Sequence, residues 1–251
     1  VSAIATESLL LTFLLFCRVG GCLMLMPGFA STRIPVQVRL FLAIAATLAL
    51  IPVLYTTLQA AVPKFVPARD LRLIISETVI GVLIGAMGRA FFLALQFMGS
   101  AVAMFIGIGN LPGHPIEDAE PSPAVTSLIT VTATALFFIA DLHLEVFRGL
   151  LASYTALPVS ASVDVQFTLI QLTDAVSKAF YLALQISSPF VVYALVINLM
   201  FGLANKLVPQ IPIYFISLPF VVAGGLFLLY VTIGEFLRLF MLGFANWLTT
   251  G

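Results

Sequence analysis

The chain has 251 residues, 61% of them hydrophobic and 9% charged, against about 45–50% and 25% in an average soluble domain. With a mean hydropathy of +1.16, this excludes a soluble globular protein and leaves one compact bundle of membrane helices. Eleven basic residues balance eleven acidic ones, so there is neither a basic face for nucleic acid nor an acidic surplus, and function must lie in where the few charges sit.

The first apolar run, 9–26, has no basic region ahead of it, its first charge being Glu7. It shows no cleavage site either, and reads as a retained helix. Its cysteines, Cys17 and Cys22, lie about 140° apart around a helix, which disfavours a local disulfide and marks them as buried thiols. Further runs at 40–58, 73–106, 124–140, 175–204 and 215–248 read as helices, with a weaker piece at 144–157. The runs at 73–106, 175–204 and 215–248 would reach roughly 45–51 Å, while the hydrocarbon core is about 30 Å thick. They must tilt, break or extend beyond the bilayer. Gly81, Gly85, Gly88 and Pro189 supply places for close packing or kinks, and Gly81-x-x-x-Gly85 has the spacing of a small-residue helix contact.

If the first two runs each cross once, the connection with Arg33 and Arg39 and the one with Lys64, Arg69 and Arg72 fall on opposite sides of the membrane, which splits the positive-inside rule. Either short loops break the rule, or some segments are not ordinary lipid-facing spans. The charges within the apolar runs favour the second explanation. Arg18, Glu77, Arg89, Glu145, Arg148, Lys178, Glu235 and Arg238 all lie inside or at the edge of such runs, where each costs about 2.5–3.5 kcal/mol at a bilayer centre. Three pairs have helical spacing: Glu145 with Arg148, Asp174 with Lys178, and Glu235 with Arg238. Arg18 and Arg89 have no such neighbour, and must snorkel or find partners on other helices, on other subunits or in water. Arg18, Glu77, Arg89, Glu235 and Arg238 are therefore expected as buried charges, in a polar interior or on a surface that other proteins cover.

Two stretches interrupt the apolar pattern. At 107–123 the chain reads GIGNLPGHPIEDAEPSP, where Gly107, Gly109, Gly113, Pro112, Pro115, Pro121 and Pro123 exclude regular structure. Glu117, Asp118 and Glu120 make it acidic, with no Lys or Arg; by composition alone it is a solvated connection. At 202–219 the chain reads GLANKLVPQIPIYFISLP. Gly202 can end a helix, Asn205 and Lys206 are polar, and Pro209 and Pro212 prevent continuation, so this is the turn of a long helical hairpin.

No phosphate loop, nucleophile elbow or HExxH motif occurs. His114 and His143 are too few and too separated for a metal site, and on a helix His143 points about 200° away from Asp141. No enzyme, cofactor or metal is expected. A small-solute transporter with Arg18 or Arg89 as its charged site would need inverted repeats, and none is visible.

Over its whole length the chain resembles the FliR family of flagellar export-gate proteins and their injectisome relatives. The resemblance lies in PVQVRLFLAIAATLAL at 35–50, ISETVIGVLIG at 75–85, PAVTSLITVTATALFFIADLHL at 123–144 and Leu157-Pro158. Its most specific part is GLANKLVPQIPIYFISLP, similar to the family's Asn-Lys/Arg-x-x-Pro-Gln signature, here Asn205, Lys206, Pro209 and Gln210. Ile211-Pro212 stands where many members have Met-Asn, and Ser217 where Gly is usual.

The resemblance implies an all-α integral membrane protein of long kinked helices and helical hairpins, with a FliP-like part at 1–165 and a FliQ-like hairpin at 166–251. It further implies a closed assembly with FliP-like and FliQ-like subunits, raised out of the bilayer plane of the bacterial inner membrane at the flagellar basal body. FlhB- and FlhA-type export proteins would be further partners, and unfolded flagellar proteins the cargo; use in an injectisome is the alternative. By position, 107–123 maps to the family's plug, with Gly107, Gly109, Asn110, Pro112, Gly113, Pro115, Glu117, Asp118, Glu120 and Pro121. Asn205, Lys206, Pro209 and Gln210 map to a docking turn.

Overall fold

The computed structural model describes residues 2–31, 34–62, 67–109, 123–159, 165–207, 210 and 213–250. Among them are seven helices: α1 (Ser2–Leu25), α2 (Val36–Ala61), α3 (Pro67–Phe105), α4 (Ala124–Ile139), α5 (Leu142–Ala156), α6 (Val165–Leu207) and α7 (Ile213–Thr250). No strand occurs among the described residues. All six strong runs are helices, and the weak piece at 144–157 is one as well. Its buried stripe of Leu142, Val146, Leu150 and Tyr154 repeats every four residues, and the polar residues between them dilute its apolar character. Asp141, in a left-handed conformation with φ of 55°, separates α4 from α5 at a bend of 68°.

The long helices exceed their apolar runs: α3 has 39 residues, α6 43 and α7 38, about 58, 65 and 57 Å. Among the described residues five helices are long and apolar enough to cross a membrane, and the bent pair α4–α5 can supply a sixth span. Pro52, Pro189 and Pro219 lie within α2, α6 and α7, which stay continuous through them.

The chain forms two compact units, and each is assembled from separated segments. One comprises Val1–Phe91, Phe137–Val176 and Leu248–Gly251, the other Phe92–Leu136 and Ser177–Trp247. In the first, α1 lies between α2 and α3. Ser8 Oγ meets Tyr55 Oη at 3.2 Å while Gly20 faces Ala43, which makes α1 and α2 antiparallel. Gly81, Gly85 and Gly88 of α3 face Arg18 and Cys22 of α1 and Met26 just past its end, in that order, so these two helices run parallel. Leu11, Leu14, Leu15, Val19 and Leu23 of α1 form the core with Leu54 and Leu58 of α2 and Tyr154 of α5.

In the second unit the later half of α3 packs with α4 and with the α6–α7 hairpin. The Phe92 ring stands edge-on to Phe240 and Phe244 at 5.4 and 5.8 Å. Gly99 lies against Thr126, whose hydroxyl is 3.3 Å from that of Ser100. Tyr193 of α6 donates to the Val221 carbonyl of α7 at 2.6 Å, and Gly243 of α7 lies under Leu182 of α6, so the hairpin arms are antiparallel.

Candidate functional site

Glycine at position 81 decides the geometry of the most polar point in the first unit. A Cβ there would run into the carbonyl of Arg18, and one at Gly85 would meet the carbonyl of Cys22. Without those atoms the backbones of α1 and α3 approach closely. On the reverse side, Gly21 of α1 sits against the backbone at Thr78 and Val82. This contact brings together Arg18 and Glu77, whose side chains are both 0% exposed. Arg18 Nε donates to Glu77 Oε2 at 2.6 Å and Nη2 to Oε1 at 2.8 Å, a two-pronged pair.

The guanidinium also joins α5 to the other two helices. Its Nη1 donates to Ser153 Oγ at 3.0 Å and its Nη2 to the Leu157 carbonyl at 3.0 Å. It lies 3.8 Å from the centroid of the Tyr154 ring, in the range of a cation–π contact. The Tyr154 hydroxyl donates to Glu77 Oε2 at 3.4 Å. Two buried charges are thus neutralised with nearly all their hydrogen-bonding capacity used, the condition under which such a pair is tolerated. The sequence left Arg18 to snorkel or to find partners on other helices, on other subunits or in water; here Glu77 of another helix of the same chain supplies one, and Ser153, Tyr154 and the Leu157 carbonyl join it. Only the four-residue stripe of α5 and the quoted Leu157-Pro158 hinted at this end of the helix.

The other expected buried charges sit differently. Arg89 is half-buried in α3 and is engaged in an interaction. Glu235 and Arg238 are not buried within this chain, their side chains being 55% and 62% exposed, which leaves for them the expected alternative of a surface that other proteins cover. They neutralise each other, with Arg238 Nε and Nη2 donating to Glu235 at 2.8 and 2.7 Å. Phe236 and Leu237 between them take the buried face. Arg148 likewise pairs with Glu145 one turn away. Asp174 and Lys178 are exposed, and among the described residues no ion pair joins them. Cys22 is buried as expected, whereas Cys17 is half-buried; both are free thiols. His143 packs on the Phe138 ring at 5.6 Å, and no group of three His, Cys, Asp or Glu among the described residues is placed to hold a metal.

Of the 107–123 stretch, the described beginning is a helix stop. Gly107 has φ of 81°, its N–H donates to the Met104 carbonyl at 3.1 Å, and the Ile108 N–H donates to the Ala103 carbonyl at 2.9 Å. This pair of bonds around a left-handed glycine is a Schellman motif, which a side chain at Gly107 would strain. Ile106 sits on Gly225 of α7, and Gly107 faces Leu218 and Val222. Gly109 folds back against Met104. Asn110, Pro112, Gly113, Pro115, Glu117, Asp118, Glu120 and Pro121 lie outside the described residues, as does Pro209 of the hairpin turn. Asn205 and Lys206 at the end of α6, and Gln210 after it, are exposed.

The family model described as "Bacterial export proteins, family 1" matches residues 9–246. Similar proteins include the flagellar biosynthetic protein FliR of Caulobacter vibrioides, 30% identical over 86% of this chain and 85% of that protein. The protein of the same name from Aquifex aeolicus is 27% identical over 92% and 88%, and that of Escherichia coli K12 is 25% identical over 84% and 80%.

Proposed function

Because the chain belongs to the bacterial export proteins, family 1, as a FliR-type membrane component of the flagellar export apparatus, we propose that it forms one wall of an inner-membrane conduit for unfolded flagellar proteins. It is a transport component and not an enzyme. FliP-like and FliQ-like subunits complete the wall, with FlhB- and FlhA-type proteins beside them. Residues 1–165 take the FliP-like place and 166–251 the FliQ-like place.

One observation carries the part about neighbours: the α6–α7 hairpin holds charge and large apolar side chains uncovered on the same helices. Before Pro189, Asp174, Lys178, Gln185 and Ser188 lie exposed along one face of α6. After it the same face carries exposed Val192, Leu195 and Leu199. In α7 the order reverses. Residues 216–234 hold no charge, whereas Glu235 and Arg238 follow. Next to the turn, the nineteen uncharged residues 216–234 of α7 measure about 28 Å, close to the hydrocarbon thickness, and the uncharged stretch 190–205 of α6, which ends at Lys206, measures about 24 Å. The polar halves then stand beyond the slab, where water or other subunits cover them, in keeping with an assembly raised out of the bilayer.

In this reading 107–123 plugs the conduit. Its glycines permit it to fold back or swing aside, and its prolines keep it from pairing as strand or helix. Asn205, Lys206, Pro209 and Gln210 at the turn form the docking point for partners at the cytoplasmic entrance. Mild-detergent purification of the chain from its own host, tagged after Gly251, followed by mass spectrometry of co-eluting proteins, tests the assembly. Stoichiometric FliP- and FliQ-like subunits are expected; a lone monomer or homodimer would instead revive the small-solute transporter. Deleting 110–120 is expected to raise ion passage while the assembly still forms, and an assembly that stays tight would reject the plug.

A further inference from the structure

We propose that the Arg18–Glu77 pair makes stable membrane integration of α1 conditional on α3, so that the first three helices settle in the bilayer as a block which α5 then closes. Neither charge has a partner on its own helix. On α1 the other ionisable side chains are Glu7, eleven positions before Arg18, and the two cysteines. On α3, Arg72 precedes Glu77 by five positions, about 140° around the helix, and Arg69 is bonded to Asp70. Neutralisation therefore requires the two helices to meet.

Chain order turns this into a sequence of events. Arg18 leaves the ribosome first, and Glu77 follows 59 positions later. Until then α1 holds a lone guanidinium in an apolar helix, which the hydrocarbon core disfavours. When α3 arrives, Gly81, Gly85 and Gly88 let it seat directly on the α1 backbone, and the carboxylate takes two of the guanidinium's N–H groups. Ser153 and the Leu157 carbonyl, 135 and 139 positions after Arg18, take two more. The same groups that make α1 a poor early insertion make the finished cluster dry and satisfied.

The test is pulse-labelling of the full-length chain in cells, reading the fraction in carbonate-washed membranes at the end of the pulse and again through a chase. Glu77→Leu strands the arginine, and at least a fivefold loss is expected already at the end of the pulse. Arg18→Leu frees α1 but strands the carboxylate, and a smaller loss is expected. The double variant Arg18→Leu/Glu77→Leu strands no charge, and recovery to within twofold of the unmodified chain is expected. Normal pulse values for Glu77→Leu with loss only in the chase would overturn the proposal, since the pair would then merely stabilise the finished fold. A double variant as poor as Glu77→Leu alone would overturn it too. Export is not read in this experiment, so the outcome is independent of the conduit assignment.

Discussion

The α1–α3 contact and the α6–α7 hairpin use the same ingredients to opposite ends. Both bring helices close at glycines, and both carry an Arg–Glu pair within an apolar stretch. In α1–α3 the pair is sealed among three helices of this one chain, and half of the apolar window of α1, 50%, is buried. In the hairpin the pair stands on the outside, and only 17% of the corresponding window of α7 is buried. Exposed Phe220, Phe227, Tyr230 and Val231 share that helix. A single chain can complete the first region alone, whereas the second is complete only where something else covers it.

The largest effect should come from breaking the self-sufficient region. In Gly81→Leu the new side chain meets the Arg18 carbonyl, a backbone atom that moves only if α1 moves. Separation of the helices would also pull Arg18 from Glu77, and stranding a buried charge costs about 3–5 kcal/mol on its own. We expect loss of the folded species, read as the unfolding midpoint in detergent. Gly243→Ala is the control: its Cβ would meet the far end of the Leu182 side chain, and overpacking of that kind costs about 1–3 kcal/mol. Equal midpoints for the two variants would break the comparison.

How much of this was legible in the sequence follows the range of the forces. Helices were readable because a long apolar run is a local feature of the chain, and the Glu235–Arg238 pair because it spans one turn. Their exposure was not, since it depends on Phe236 and Leu237 winning the inner face. That Arg18 had to snorkel or find a partner was readable from its lack of a neighbour; that the partner is Glu77 was not. The match depends on the parallel register of α1 and α3, set by where Gly81, Gly85 and Gly88 fall against a different helix. Ser153 and the Leu157 carbonyl were less readable still, because a backbone carbonyl leaves no mark in sequence. For the 107–123 stretch, Gly107 as a helix stop was readable from the Gly-x-Gly pattern, and its seat against α7 was not.

A smaller effect on the chain, and a larger one on its company, is expected from Glu235→Gln/Arg238→Gln. The pair is exposed and helical, a class of interaction that contributes little to the stability of the chain bearing it. The midpoint of the isolated chain should stay where it is. Recovery of co-purifying subunits should fall severalfold if those charges meet polar groups of a neighbour. Unchanged recovery would mean that this face of α7 is not where the cover sits. Lys206→Glu at the hairpin turn reads the other end of the same helices: reduced partner docking is expected with the chain itself intact, and normal complex formation with normal secretion would remove the turn from the docking surface.

The smallest change sharpens the comparison most. Gly234, immediately before Glu235 in α7, has no atom within 4 Å of where a Cβ would stand. In the isolated chain Gly234→Ala should therefore be gently stabilising, by about 0.5–1 kcal/mol, because alanine favours the helix over glycine and nothing is displaced. The assembled state imposes a different condition. If a neighbouring helix packs there as closely as α3 packs on α1, the added methyl meets its backbone and subunit recovery drops while the isolated chain improves. Opposite signs in the two measurements would place a neighbour against Gly234; improvement in both would leave that strip of α7 facing lipid or water.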